Sequence, residues 1–157
     1  MAEARAVVVE LVDGMAFRAT TPSGHALDLD SSPDVGGQER GPRPMELLLA
    51  SLGACTGMDV ISILRKMRQE VTTYAVRVGG TRASEHPRVF TSLRVEHEVS
   101  GRGLKLERVR HAVELSAREY CPAMAMLSRA TRVEVIFRVR EDGTGEEHSG
   151  SLTVDAT

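Results

Sequence analysis

The chain has 157 residues, enough for one domain with a real core. Hydrophobic residues make up 41% and charged residues 27%, the balance of a soluble globular protein. A formal net charge of -2, aromatics at 3% and no Trp argue against both an electrostatic and a stacking platform for nucleic acid.

The opening stretch, MAEARAVVVELVDG, has no charged region leading into an apolar run, so no signal peptide is read there and a cytoplasmic location is the default. Residues 6–12 are β-rich, and MAFRAT at 15–20 alternates apolar and polar. Asp13-Gly14 between them is a two-residue hairpin signal. After a turn at Pro22-Ser23-Gly24, HALDLD at 25–30 alternates again, which predicts a three-strand antiparallel meander. Residues 31–43 form a loop by composition, with Arg40 and Arg43 near its end.

The longest apolar run follows, from Pro44 to Met67. Pro44 suits the first turn of a helix. Leu47, Leu48, Leu49, Leu52, Val60, Ile61, Ile63 and Leu64 go all round it, so the helix is expected to be buried on every side. The run is long enough to tempt a transmembrane reading. Asp59, Ser51, Thr56, Gly53 and Gly57 argue against one, since an unpaired Asp at mid-membrane is costly. Cys55 sits in Gly53-Ala54-Cys55-Thr56-Gly57. The small residues leave room for a partner helix or a small ligand close to the sulfur. The plainer alternative is a structural cysteine packed as a small hydrophobe. Asp59 lies one turn after Cys55 on its face, either raising the thiol pKa or simply hydrogen-bonded near a subunit contact.

Residues 73–82 and 89–100 read as two more strands, with His97 on the apolar side as a hydrogen-bonded histidine at a sheet margin. Leu106, Val109, Val113 and Tyr120 recur at helical spacing. Proline inside a helix is costly, so one helix stops near Tyr120 and another begins at Pro122. Cys121 then caps the new helix, whose N-terminus offers its thiol a route to a lowered pKa. Residues 131–140 alternate as a last strand. Residues 141–157 are Gly-, Ser- and acid-rich and are expected to form a mobile tail, in which SLTV is able to pair with a sheet edge. The order is β-β-β-α-β-β-α-α-β, an α+β design over residues 1–140. An all-apolar helix in so short a chain favours a dimer. Five histidines and two cysteines offer no CxxC or HExxH spacing, so neither a metal nor another cofactor is expected.

The run PMELLLASLGACTGMDVISIL, the strand RVFTSLRVEHEVSGRGL and SAREYCPAMAML together resemble the OsmC/Ohr family of thiol-dependent peroxidases, and more closely its YhfA-like branch. The resemblance covers roughly residues 7 to 140. It implies an intertwined homodimer in which antiparallel sheets wrap central helices. It also implies reduction of organic hydroperoxides at sites on the dimer interface. Cys55 matches the family's peroxidatic cysteine, oxidised to a sulfenic acid, and Cys121 its resolving cysteine, which condenses with it to a disulfide. A dithiol such as a lipoylated protein then restores the thiols. Arg18 stands where the family's thiolate-stabilising arginine is expected, with Arg40 and Arg43 as alternatives. The family's usual glutamate position falls on Met45, and its neighbour is Glu46. On an unbroken helix Glu46 lies opposite Cys55, so it contributes only through an irregular helix start or from a partner chain. That departure bears on catalytic efficiency rather than on fold. The alternative function is a non-enzymatic protein of the same fold that binds a small ligand between subunits.

Overall fold

The cleanest alternation in the sequence becomes the middle of the larger sheet. The computed structural model describes residues 6–155. The extreme ends of the stretch read as lacking a leader, and of the expected tail, lie outside the described residues. Strands β1 (Val8–Asp13), β2 (Ala16–Thr20) and β3 (Ala26–Leu29) form one sheet in that order. Helix α1 (Pro44–Lys66) follows, then β4 (Glu70–Arg82) and β5 (Phe90–Arg102). Next come α2 (Leu106–Leu115), a π-turn (Ser116–Tyr120) and α3 (Pro122–Leu127). Strands β6 (Arg132–Glu141) and β7 (Glu147–Val154) complete a four-stranded sheet ordered β4-β5-β6-β7. The chain divides into two compact units, one ending at Leu48 and the other beginning at Leu49.

In the second unit, β5 and β6 place Leu93 beside Val133, Val95 beside Val135, His97 beside Phe137 and Val99 beside Val139. All eight side chains are buried. Leu52, Val60 and Leu64 of α1, Val109, Ala112 and Val113 of α2, and Met124 of α3 join them in one core. Fully burying such a side chain stabilises by about 1.5–3 kcal/mol, so this cluster dominates the unit.

The larger sheet departs from the sequence reading in two ways. It is mixed rather than antiparallel, because β5 and β6 run parallel. The chain leaves β5, crosses through α2, the π-turn and α3, and returns in the same direction, as a parallel pair requires. And in place of an irregular tail after Arg140, residues 147–154 form β7, antiparallel to β6. Its Ser, Gly and Thr lack the apolar alternation that announces a strand, but an edge position asks mainly for backbone hydrogen bonds. Gly150 is required there, because a Cβ would fall 2.3 Å from the Phe137 ring.

In the first unit, the turn between β1 and β2 is Gly14-Met15 rather than Asp13-Gly14, since Asp13 pairs with Ala16. A bulge between Leu11 and Asp13 absorbs the extra residue, and Gly14 takes a positive φ of 55° at the first turn position. The loop before α1 folds around Asp30, whose carboxylate accepts from the backbone N–H groups of Ser31, Gln38 and Arg40 at 2.7, 3.0 and 3.1 Å. These bonds hold its pKa below the usual carboxylate range.

Helix α1 is not covered on every side by its own chain. Leu52, Gly53, Thr56, Gly57, Val60 and Leu64 are buried. Leu48, Ala54 and Met58 are exposed, Met58 at 70%. The small residues near Cys55 make room for a strand: a Cβ at Gly53 would lie 3.0 Å from Val78, and one at Gly57 3.3 Å from Val76. By length and composition α1 could cross a membrane. Its glycine face instead packs on β4, and Thr56 and Asp59 bond to Ser116.

Candidate active site

The two cysteines come from elements far apart in sequence and meet in the second unit. Cys55 is half-buried on α1 and Cys121 is buried, and both are free thiols. Cys121 holds an extended backbone, with φ -75° and ψ 106°, between the π-turn and α3. Its own N–H donates to the Ser116 carbonyl at 2.9 Å, the wide i→i+5 bond of a π-turn. Its sulfur accepts from the Met124 N–H at 3.3 Å, so Cys121 caps α3, ahead of Pro122 at the first position. The break read from Cys121-Pro122 is where it was expected. The wide turn before it was not.

The Cys121 and Cys55 side chains are near neighbours in one core. Burial pushes its pKa up to about 11, and the Met124 N–H pulls the other way. Contact with Cys55 and the charge of Asp59 raise it further. The lowered pKa expected from a helix N-terminus is therefore overturned: a six-residue helix offers one N–H to a sulfur that has lost its water. Cys121 keeps its proton while Cys55, the more exposed sulfur, faces it.

Asp59 does lie one turn beyond Cys55. Its Oδ2 accepts from the Ser116 hydroxyl at 3.0 Å, and that hydroxyl also meets Thr56 Oγ1 at 2.8 Å. Sequence reasoning missed Ser116. The available signal was a polar residue on the apolar face of the helical run, in line with Val109, Ala112 and Val113. It also placed His97 at a sheet margin. His97 is fully buried in the interior strand β5, because its neighbours on both sides are paired.

The other two predicted residues belong to the first unit and are bound locally. Arg18 stands directly opposite Asp28 and holds it bidentately, at 2.7 and 2.9 Å. Glu46 accepts from the Arg43 N–H at 2.9 Å, as the third residue of a helix commonly does, and pairs with the Arg43 guanidinium at 3.7 Å. Helix α1 runs unbroken from Pro44, so the irregular start that would turn Glu46 toward Cys55 is absent. Arg40 is paired with Asp13 at 2.8 Å.

Along the Cys55 face of α1, a groove of about 510 Å³ is lined by Asp59, Ser62, Ile63 and Lys66. Leu115 and Tyr120, at the two ends of the π-turn, form its opposite wall. It therefore runs between α1, which carries Cys55, and the π-turn that leads into Cys121.

The OsmC-like protein family matches residues 36–136, a span that holds α1, both cysteines and the centre of the larger sheet. The chain is 37% identical over 131 residues to the protein YhfA of Escherichia coli K12, covering 83% of this chain and 95% of the relative. It is similar to the crystal structure of a hypothetical protein from Aquifex aeolicus, with TM-score 0.78 and 31% identity over 89% of this chain and 98% of the other. An organic hydroperoxide resistance protein OsmC from Legionella pneumophila shares the fold, with TM-score 0.63 and 16% identity over 88% of this chain and 98% of the other. By sequence and by architecture, the chain belongs to the OsmC-like family.

Proposed function

We propose that the protein reduces organic hydroperoxides through a two-cysteine cycle. The observation that carries this reading is the closeness of the Cys121 thiol to Cys55 in one core. As a thiolate, Cys55 attacks one peroxide oxygen. The O–O bond breaks, the other oxygen leaves as an alcohol once protonated, and Cys55 becomes a sulfenic acid. Cys121 then attacks the Cys55 sulfur, an S–S bond forms, and the sulfenic oxygen leaves as water with the Cys121 proton. An external dithiol, such as that of a lipoylated protein, takes over the disulfide by exchange and restores both thiols.

The order of attack follows from exposure. Cys55 is reachable from outside, whereas Cys121 is 3% exposed and holds its proton. The groove between α1 and the π-turn has apolar walls in Ile63 and Leu115, suited to the organic part of a hydroperoxide. Arg18 and Glu46 keep their place as candidates for the charged roles on condition that Arg18 releases Asp28 and Glu46 releases Arg43. The working form in this reading is a cytoplasmic homodimer. Val8, Val9, Leu11 and Val12 of β1 and Met58 of α1 are each more than half exposed, and a second copy would cover them.

The test is to treat the reduced protein with one equivalent of an organic hydroperoxide, then take an intact mass, a thiol count and a peptide map. Loss of both thiols with Cys55 joined to Cys121 supports the cycle. Two unmodified thiols would sink it and leave a ligand-binding protein of this fold.

A further inference from the structure

Beneath the sulfurs lies a polar chain that disulfide chemistry does not by itself require. Thr56 and Ser116 are fully buried, and their hydroxyls meet at 2.8 Å across 60 residues of sequence. Each hydroxyl has one proton to give. A carboxylate can only accept, so the chain has one consistent direction. Thr56 Oγ1–H donates to Ser116 Oγ, and Ser116 Oγ–H donates to Asp59 Oδ2 at 3.0 Å. The Thr56 carbonyl, 3.4 Å from the same Ser116 oxygen, is the weaker alternative acceptor.

Ser116 therefore holds two things at once. Its side chain is fastened to α1 at Thr56 and Asp59, within the turn that follows Cys55. Its backbone carbonyl accepts the N–H of Cys121. The π-turn between them is the kind of local irregularity that persists where it aims a functional group. A disulfide forms only when the Cα atoms lie within about 4.4–6.8 Å and the Cβ atoms point together, so its ease depends on how firmly the two backbones are set.

We propose that Ser116, anchored by Asp59 and Thr56, is a positioning residue that sets the approach of Cys121 to Cys55 and so governs the rate and equilibrium of disulfide closure. The proposal takes the pair's role in the cycle from the function proposed above, but its geometry does not depend on which oxidant acts. Asp59 has a separable second effect. Its charge faces Cys121 from α1, as does Cys55, and it also reaches Tyr74 on β4. It therefore helps keep the proton on Cys121.

The test uses diamide, an oxidant that needs no peroxide chemistry. The two thiols give up two electrons and two protons as the S–S bond forms, and the diazene becomes a hydrazine. Closure is followed by mass, and the equilibrium constant is read in a dithiothreitol redox buffer. Ser116→Ala removes the clasp and is expected to slow closure about tenfold or more, the scale of one hydrogen bond to a charged group. A matching tenfold loss in the equilibrium constant shifts the potential by about 30 mV toward easier reduction. Ser116→Thr restores the hydroxyl and is expected to recover most of the loss. Asp59→Asn keeps an acceptor oxygen without the charge. Its expected effect is on the charge alone: Cys121 alkylation moves to lower pH, while the Ser116 hydroxyl keeps an acceptor. If Ser116→Ala does not fold, Asp59→Ala removes the acceptor and is expected to show the same loss of closure.

Wild-type rate and potential in a folded Ser116→Ala or Asp59→Ala protein would overturn the proposal. So would a wild-type pair that diamide does not close. A wild-type protein that closes with diamide, is slowed by Ser116→Ala and ignores hydroperoxide would support the clasp and remove the peroxidase reading alone.

Discussion

The Tyr74 hydroxyl meets Nδ1 of His97 at 2.7 Å, and the two rings stack with centroids 6.0 Å apart and planes within 10°. Nε2 of His97 has no hydrogen-bond partner among the described residues. Burial pulls the imidazole down to about 4 and pushes the Tyr74 phenol well up, so both stay neutral. An unfolded histidine takes a proton below about 6.5, whereas this one waits until about 4. The unfolded state thus binds more protons between those values, and stability falls as pH drops through that window, by roughly 3 kcal/mol in all. His97→Asn keeps an acceptor for Tyr74 and cannot take up the proton. Urea melts at pH 7 and pH 4.5 are expected to show a much smaller acid loss in the variant. Equal losses in the two proteins would show that His97 is not the acid-sensitive group.

Thiol labelling separates the two sulfurs. With iodoacetamide at pH 7.5, Cys55 is expected to react first and Cys121 to stay unmodified until the pH nears the value of about 11 that its burial sets. Peptide mapping over a pH series reads this directly. Early labelling of Cys121 would reverse the assignment of roles.

Cys121→Ser is expected to leave one turnover of hydroperoxide intact while stranding Cys55 as a sulfenic acid that dimedone traps. Cys55→Ser is expected to abolish hydroperoxide loss altogether. A Cys55→Ser protein that still consumes hydroperoxide would place the chemistry on Cys121 or elsewhere.

Closing Cys55 to Cys121 ties off a loop of roughly 66 residues, and chain entropy alone then destabilises the unfolded state by about 4 kcal/mol. The oxidised protein is expected to melt several degrees above the reduced one. An oxidised form that melts lower would mean that closure strains the fold by more than the loop gains.

Leu11, 61% exposed on β1, tests the second copy. Sedimentation is expected to give twice the 17.0 kDa chain mass, and Leu11→Arg to shift it toward one chain. A wild-type monomer would leave the apolar strand without an occupant.

Much of this was legible from local pattern. Val133, Val135, Phe137 and Val139 alternate too regularly to be anything but the inner face of a strand. Cys121-Pro122 forces a break because proline cannot continue a helix. What stayed hidden depends on partners distant in sequence. Nothing near Ser116 announces Thr56, and although SLTV was read as able to pair with a sheet edge, as it does, nothing in the residues before it announces that the strand begins at Glu147 or that its partner is β6. The parallel pairing of β5 and β6 is equally silent, since either direction presents the same alternation. The phase of Glu46 was readable, because helical geometry carries over nine residues without error when the helix does not bend.

The crossover that makes β5 and β6 parallel also sets a sequence of events during synthesis. A hairpin pairs as soon as its second strand emerges, but β5 must wait until the roughly thirty residues of α2, the π-turn and α3 have passed before β6 arrives. Cys121 rides in that late segment, and the clasp on Ser116 has no fixed position until the crossover packs on α1. The nascent chain therefore carries two separated, ordinary thiols. In the proposed cycle, a pair able to close exists only in molecules whose larger sheet has formed, so disulfide closure would itself report that the crossover has packed.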